Sequence, residues 1–155
     1  KKFGYFQTES DFFHEVVAEI GLLANPSNPG TGFFRHPLTY LVEAADDICY
    51  TIIDFEDGIN LGLVAEEYAL EYLIKLVKDT INTKKYNAMN SSSDRLSYLR
   101  ALAINTLIQD TVEGFIKNED KILRGEFDSA LLDKGKYQAQ VDDIIKLSVI
   151  QRHVM

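Results

Sequence analysis

The sequence predicts an all-α fold, and three observations carry that expectation. Apolar residues recur at spacings of three and four along most of the 155 residues. No run shows the alternation with period two that a half-buried strand requires. Capping and loop signals, at Pro37, Gly58 and Ser91 to Asp94, fall between the periodic runs rather than inside them.

Taken in order, Thr8 and Asp11 offer capping chemistry ahead of Phe12, Phe13, Val16, Val17 and Ile20, which repeat at helical spacing. Residues 25 to 32, with two prolines and two glycines, are expected to form a loop. Pro37 suits the first turn of a helix over 38 to 58, because the amide it lacks has no intrahelical partner there, and Gly58 is expected to end that helix. Leu70, Leu73, Ile74, Val77 and Ile81 make the next stripe. Ser91, Ser92, Ser93 and Asp94 supply a loop and a cap for a long helix carrying Leu96, Leu99, Leu102, Ala103, Leu107, Val112, Phe115 and Ile116. A last helix from about 137 repeats Val141, Ile144, Ile145 and Val149. At 155 residues and 46% hydrophobic content, residues 1 to 155 are expected to form one domain around one core.

Composition excludes several classes. The chain has 16 Lys and Arg against 24 Asp and Glu, a net charge of −8. Such a field opposes broad nucleic-acid binding through phosphate neutralisation. The single cysteine, Cys49, rules out an internal disulfide and is expected on the buried side of its helix, which points to a reducing, cytoplasmic setting. No apolar run approaches the roughly 18 residues of a membrane span, so no membrane association is expected.

The helix over 38 to 58 carries the chemistry. With Asp46 as the origin and an advance of about 100° per residue, Asp57 falls at about 20°, Tyr50 at about 40°, Glu43 at about 60°, Asp54 at about 80° and Asp47 at about 100°. Five acids thus share about a third of the circumference, and like charges at helical neighbour spacing repel. Leu41, Val42, Ala45, Ile48, Cys49, Ile52 and Ile53 occupy the arc from about −140° to about −20°, the side expected to be buried. A cation or a ligand rich in donors would explain the acids; a solvated acidic face is the competing reading. Asp46 and Asp54 lie roughly 12 Å apart along the axis, too far for one metal ion to use both. The spacing suits Asp46 on a metal, Tyr50 one turn on against a ligand, and Asp54 at that ligand's far end, with an extended polar molecule such as a nucleotide between them.

These residues also resemble a family. The run Arg-His-Pro-Leu-Thr-Tyr-Leu-Val-Glu-Ala-Ala-Asp-Asp-Ile-Cys-Tyr at 35 to 50, continued by Asp-Phe-Glu-Asp-Gly at 54 to 58, is similar to the HD-domain deoxynucleoside triphosphate triphosphohydrolases, in their dGTPase branch. Lys-Phe-Gly-Tyr-Phe-Gln-Thr-Glu at 2 to 9 and Tyr-Leu-Arg-Ala-Leu-Ala-Ile-Asn-Thr-Leu-Ile at 98 to 108 flank it with similar signals. The resemblance implies that Asp46 is the last protein ligand of a divalent metal, that Tyr50 contacts the deoxynucleotide and Asp54 its sugar. It implies hydrolysis of a deoxynucleoside triphosphate to deoxynucleoside and triphosphate, often within a homo-oligomer. Tyr98 and Arg100, in the downstream similar run, are further substrate-binding candidates, Arg100 through its planar fork.

One departure limits that expectation. The family's metal site needs an upstream His and a His-Asp pair, whereas His14, His36 and His153 are the only histidines here and none precedes an Asp. Asp46 alone should not hold a divalent metal tightly, no catalytic residue is assigned within the chain, and the chain by itself is expected to be inactive. The sequence opens at Lys1-Lys2 without a Met and closes at Gln151 to Met155 in a segment that still reads as helix. The expectation is therefore the later part of a larger helical core, whose partner is its missing upstream, metal-binding half. The alternative is a non-catalytic helical module that binds nucleotides or assembles with other subunits.

Other residues read structurally. His14 belongs to an amphipathic helix, His36 to the geometry of helix entry before Pro37, and Lys84-Lys85 to a solvated loop. Ser91 to Ser93 have no nearby base, and Gly30-Thr31-Gly32 lacks the flanking strand and helix of a phosphate loop.

Overall fold

Seven helices form in the computed structural model, which describes residues 5–27 and 32–152, with side chains to residue 147. A 3-10 turn at Gln7–Glu9 leads into α1 (Ser10–Ile20), followed by α2 (Pro37–Asn60), α3 (Glu66–Val77), the short α4 (Thr83–Asn87), α5 (Ser92–Lys117), the short α6 (Glu119–Leu123), a second 3-10 turn (Leu132–Lys134) and α7 (Gln138–Arg152). No strand occurs among the described residues beyond a single antiparallel bridge between Ala24 and Phe33. The chain is all-α, as its periodicity requires. No described helix is long and apolar enough to cross a membrane. His153 and the Gly30-Thr31 pair lie outside the described residues.

The helix starts follow from local chemistry. His36 caps α2: its Nδ1 accepts the Leu38 amide at 3.2 Å, and Pro37 fills the first turn without wasting an amide. Ser91 caps α5 by accepting the Asp94 amide at 3.4 Å. Thr8 and Asp11 do not cap α1; its N-cap is Glu9, which makes no side-chain cap bond, while the Glu9 carboxylate accepts the Phe6 amide at 3.3 Å. Asn82 caps α4 through the Lys85 amide at 3.0 Å, so the Lys84-Lys85 pair sits on an exposed short helix rather than a loop.

Helix α2 also runs past Gly58 to Asn60 and turns at Gly62, whose φ of +70° is the left-handed conformation that favours glycine. Gly58 serves another purpose. The Val64 side chain lies 3.2 Å from where a Cβ would stand, and the Gly58 carbonyl accepts the Leu63 and Val64 amides, closing the α2–α3 turn onto the helix.

Four helices enclose the core: α2 packs on α5 and α7, and α3 packs on the same two. Ile48, Ile52 and Phe55 from α2 meet Leu73, Leu76 and Val77 from α3, Leu99, Ala103 and Leu107 from α5, and Val141 and Ile144 from α7 in one continuous buried cluster. A second layer reaches over the α2 N-terminus, where the buried Tyr40 hydroxyl donates to the Phe127 carbonyl and the two rings meet edge to face at 5.5 Å. Helix α1 contributes only Val17 to the buried set and packs chiefly on the turn before it.

Gly125 marks a close approach of backbone to a ring. Its φ is +71°, and a Cβ there would stand 2.7 Å from the Phe34 ring. Gly125→Ala is expected to lower stability by about 1–3 kcal/mol, because the strained backbone and the displaced ring both belong to the folded state. A urea midpoint shifted down at unchanged slope is the measurement; an unchanged midpoint would contradict the close contact.

Candidate functional site

The buried side of α2 only partly matches the one its periodicity suggested: Ile48 and Ile52 are buried as expected and Leu41 packs against the core. The residues that face the core are Tyr40, Ala44, Ile48, Ile52 and Phe55. Val42 is 68% exposed and Ile53 44% exposed, and Ala45 and Cys49 are exposed as well. The buried stripe is rotated by about 100° from the expected arc, so that Asp46 stands diametrically opposite its centre. The reason is the breadth of the apolar surface. Apolar and aromatic side chains cover well over half of this helix, and packing chose the part that could seat Tyr40 and Phe55. Cys49 consequently lies at the surface.

This rotation sets the exposure of the acids. Asp46 and Asp57 are exposed, Tyr50 is 63% exposed, and Glu43, Asp47 and Asp54 are half-buried. Asp46, Tyr50 and Asp54 follow one another at successive turns, and a rigid helix fixed by its buried side holds them at that spacing. Glu43, Asp47 and Asp54 each take part in further interactions. Glu43 is in addition paired with Arg35, whose guanidinium lies 2.6 Å from the carboxylate and 4.2 Å over the Tyr40 ring. Both side chains of that pair are largely shielded from solvent, at 16% and 17% exposure. Arg35 thus neutralises one of the five acids and fastens the first turns of α2. Sequence reasoning passed over it, although a cation two turns ahead of Glu43 within the same run was the available signal.

Tyr98 and Arg100 have their own engagements on α5. The Tyr98 hydroxyl accepts the Asn82 amide at 3.0 Å, and Lys85 sits 5.0 Å over its ring, so Tyr98 braces the entry to α4. Arg100 holds both carboxylate oxygens of Glu56 at 2.6 Å, joining α5 to α2. Glu56 is not one of the five stripe acids; it lies about 160° around the helix from Asp54. His14 is structural: its Nδ1 lies 2.7 Å from the Ser10 carbonyl and its ring packs edge-on against Phe13 and Phe33.

A pocket of about 310 Å³ opens elsewhere, between the end of α1, residues 34 to 37 and α6, lined mainly by Ile20, Leu22, Leu23, Phe34 and Ile122. It holds none of the stripe acids. Among the described residues no three His, Cys, Asp or Glu side chains come together as a metal site. The residues present do not complete a divalent-metal site, and Asp46 would need ligands from outside them.

Comparison with known proteins decides the kinship. A deoxyguanosinetriphosphate triphosphohydrolase-like protein of Synechocystis sp. is 37% identical over 93% of this chain, and one of Pseudomonas aeruginosa is 31% identical over 85% of it. Its homologues are dGTP triphosphohydrolase-like proteins. A deoxyguanosinetriphosphate triphosphohydrolase of Enterobacter sp. aligns with 99% of the chain at 28% identity. No family model matches. The chain spans about a third of the length of these relatives, 32% for the Synechocystis protein and 30% for the Pseudomonas one.

Proposed function

We propose that this chain is the later part of a deoxynucleoside triphosphate triphosphohydrolase and supplies one wall of its nucleotide site. The observation that supports the reading most is the set of Asp46, Tyr50 and Asp54 at successive turns on the outward face of α2, in a chain whose homologues carry that activity in their names. In this reading Asp46 is one ligand of a divalent metal, Tyr50 packs against the deoxynucleoside and Asp54 accepts from its sugar. The remaining ligands, a His and a His-Asp pair, belong to an upstream half, and without them the chain does not turn over. The substrate is a deoxynucleoside triphosphate, with water consumed and deoxynucleoside and triphosphate released. Tyr98 and Arg100, whose contacts also brace α4 and α5, are further substrate-binding candidates of this wall, and the assembled enzyme is a cytoplasmic homo-oligomer.

The test is a chimera. Replacing the matching stretch of the Synechocystis protein with this chain restores the relative's remaining length around α2. Metal-dependent release of triphosphate from dGTP is the expected result, and a well-folded chimera without it would overturn the reading. In that chimera Asp54→Asn is expected to raise KM by about tenfold to a hundredfold with kcat largely retained, the loss of one hydrogen bond to a charged acceptor. A fall in kcat at unchanged KM would instead place Asp54 in the chemistry.

A further inference from the structure

The pocket of about 310 Å³ beside the entry to α2 is bounded by segments that local bonds already fix. The Gly21 amide turns back on the Ala18 and Val17 carbonyls and closes α1. The Phe34 amide donates to the Leu23 carbonyl at 2.8 Å, and the Phe34 ring lies against Gly125. His36, the cap of α2, supplies a further part of the wall. Walls that stand without a ligand need little ordering to receive one, and the volume falls at the lower end of the range for small-molecule sites, about 300–1,000 Å³.

Its donors and charges select the occupant. Apart from Arg35 and His36 the lining is apolar or glycine, with Ile20, Leu22, Phe34 and Ile122 among it. The Nδ1 of His36 accepts the Leu38 amide, so the neutral ring carries its proton on Nε2 and offers a donor there. Arg35 gives Nη1 to Glu43, and its other guanidinium nitrogens meet no acceptor among the described residues. Both polar side chains therefore donate and neither accepts. No Asp or Glu lines the pocket to hold a cation. An anion is opposed as well, because Arg35 is already matched by Glu43 in a chain of net charge −8. A neutral molecule that brings an acceptor remains.

We propose that this pocket is a binding site in its own right, for a small neutral carbonyl compound. The apolar body packs on the aliphatic and aromatic wall, and the carbonyl oxygen accepts from His36 Nε2 and from Arg35. The site is independent of the nucleotide reading, since none of the stripe acids lines it. Arg35 nonetheless joins the two places, because the guanidinium that meets the ligand also meets Glu43 on α2.

The experiment titrates the 155-residue chain with four probes that share a phenyl ring, read by proton–nitrogen correlation NMR: acetophenone, toluene, benzoate and benzylamine. Acetophenone is expected to bind saturably with a Kd on the order of 1 mM, shifting the amides of residues 20–23, 34–36 and 122–125. Toluene, which lacks the oxygen, should bind about tenfold more weakly, and benzoate and benzylamine no more tightly than toluene. His36→Asn keeps a capping side chain for α2 and removes the ring donor; it should weaken acetophenone by about threefold to tenfold and leave toluene unchanged. The proposal fails if acetophenone gives no saturable shift at those residues, if benzoate or benzylamine binds as tightly, or if His36→Asn weakens both neutral probes alike. Acetophenone binding that is present in the 155-residue chain and lost in the Synechocystis chimera would give the pocket to polypeptide and overturn it equally.

Discussion

Asp46→Asn in the chimera is expected to lower kcat/KM for metal-dependent triphosphate release by at least about a hundredfold. Removing even the outer partners of a bound metal commonly costs about tenfold to a hundredfold, and in the proposed reading the carboxylate of Asp46 touches the ion itself. Asn keeps the size and one oxygen acceptor but loses the negative charge. Asp46 is exposed and faces away from the core, so the substitution should leave the fold of the 155-residue chain intact. Near-normal activity in the Asn variant would remove Asp46 from the site. A large loss of helix content or of the urea midpoint would show a structural role that its exposure does not support. Asp57→Asn is the matched control, exposed on the same face and assigned no ligand, and is expected to change turnover little.

The heaviest loss of stability is expected from Phe55→Ala, at about 3–5 kcal/mol. Phe55 is 1% exposed and is among the largest fully buried side chains, so truncation leaves a cavity at the centre of the helical cluster that rigid helices cannot close. Against a typical total of about 5–15 kcal/mol for a domain, that loss brings the chain close to unfolding at ambient temperature. The measurement is the urea midpoint followed by far-ultraviolet circular dichroism. Phe12, 69% exposed on α1, provides the contrast: Phe12→Ala should stay within about 0.5 kcal/mol of the parent. A loss below about 1 kcal/mol at Phe55 would mean that the core is not packed as described.

The five long helices were legible in the chain alone, because each rests on interactions within a few residues, whereas the short α4 and α6 were not. Apolar spacing of three and four, Pro37 at a first turn and Ser91 as a cap are local facts, and the observed helices begin where those signals stand. That Asp46, Tyr50 and Asp54 share one face was equally legible, since a regular helix leaves no freedom in their relative positions. Which side of α2 turns inward was settled by packing instead. Tyr40, Ala44 and Phe55 were taken into the core, and Val42, Cys49 and Ile53 were left outside. Arg35 closing on Glu43, and Arg100 finding Glu56 across two helices, belong to the same class. Periodicity measures how much of a helix is apolar, whereas the choice among several apolar arcs depends on the shapes of helices distant in sequence, and no local spacing encodes them.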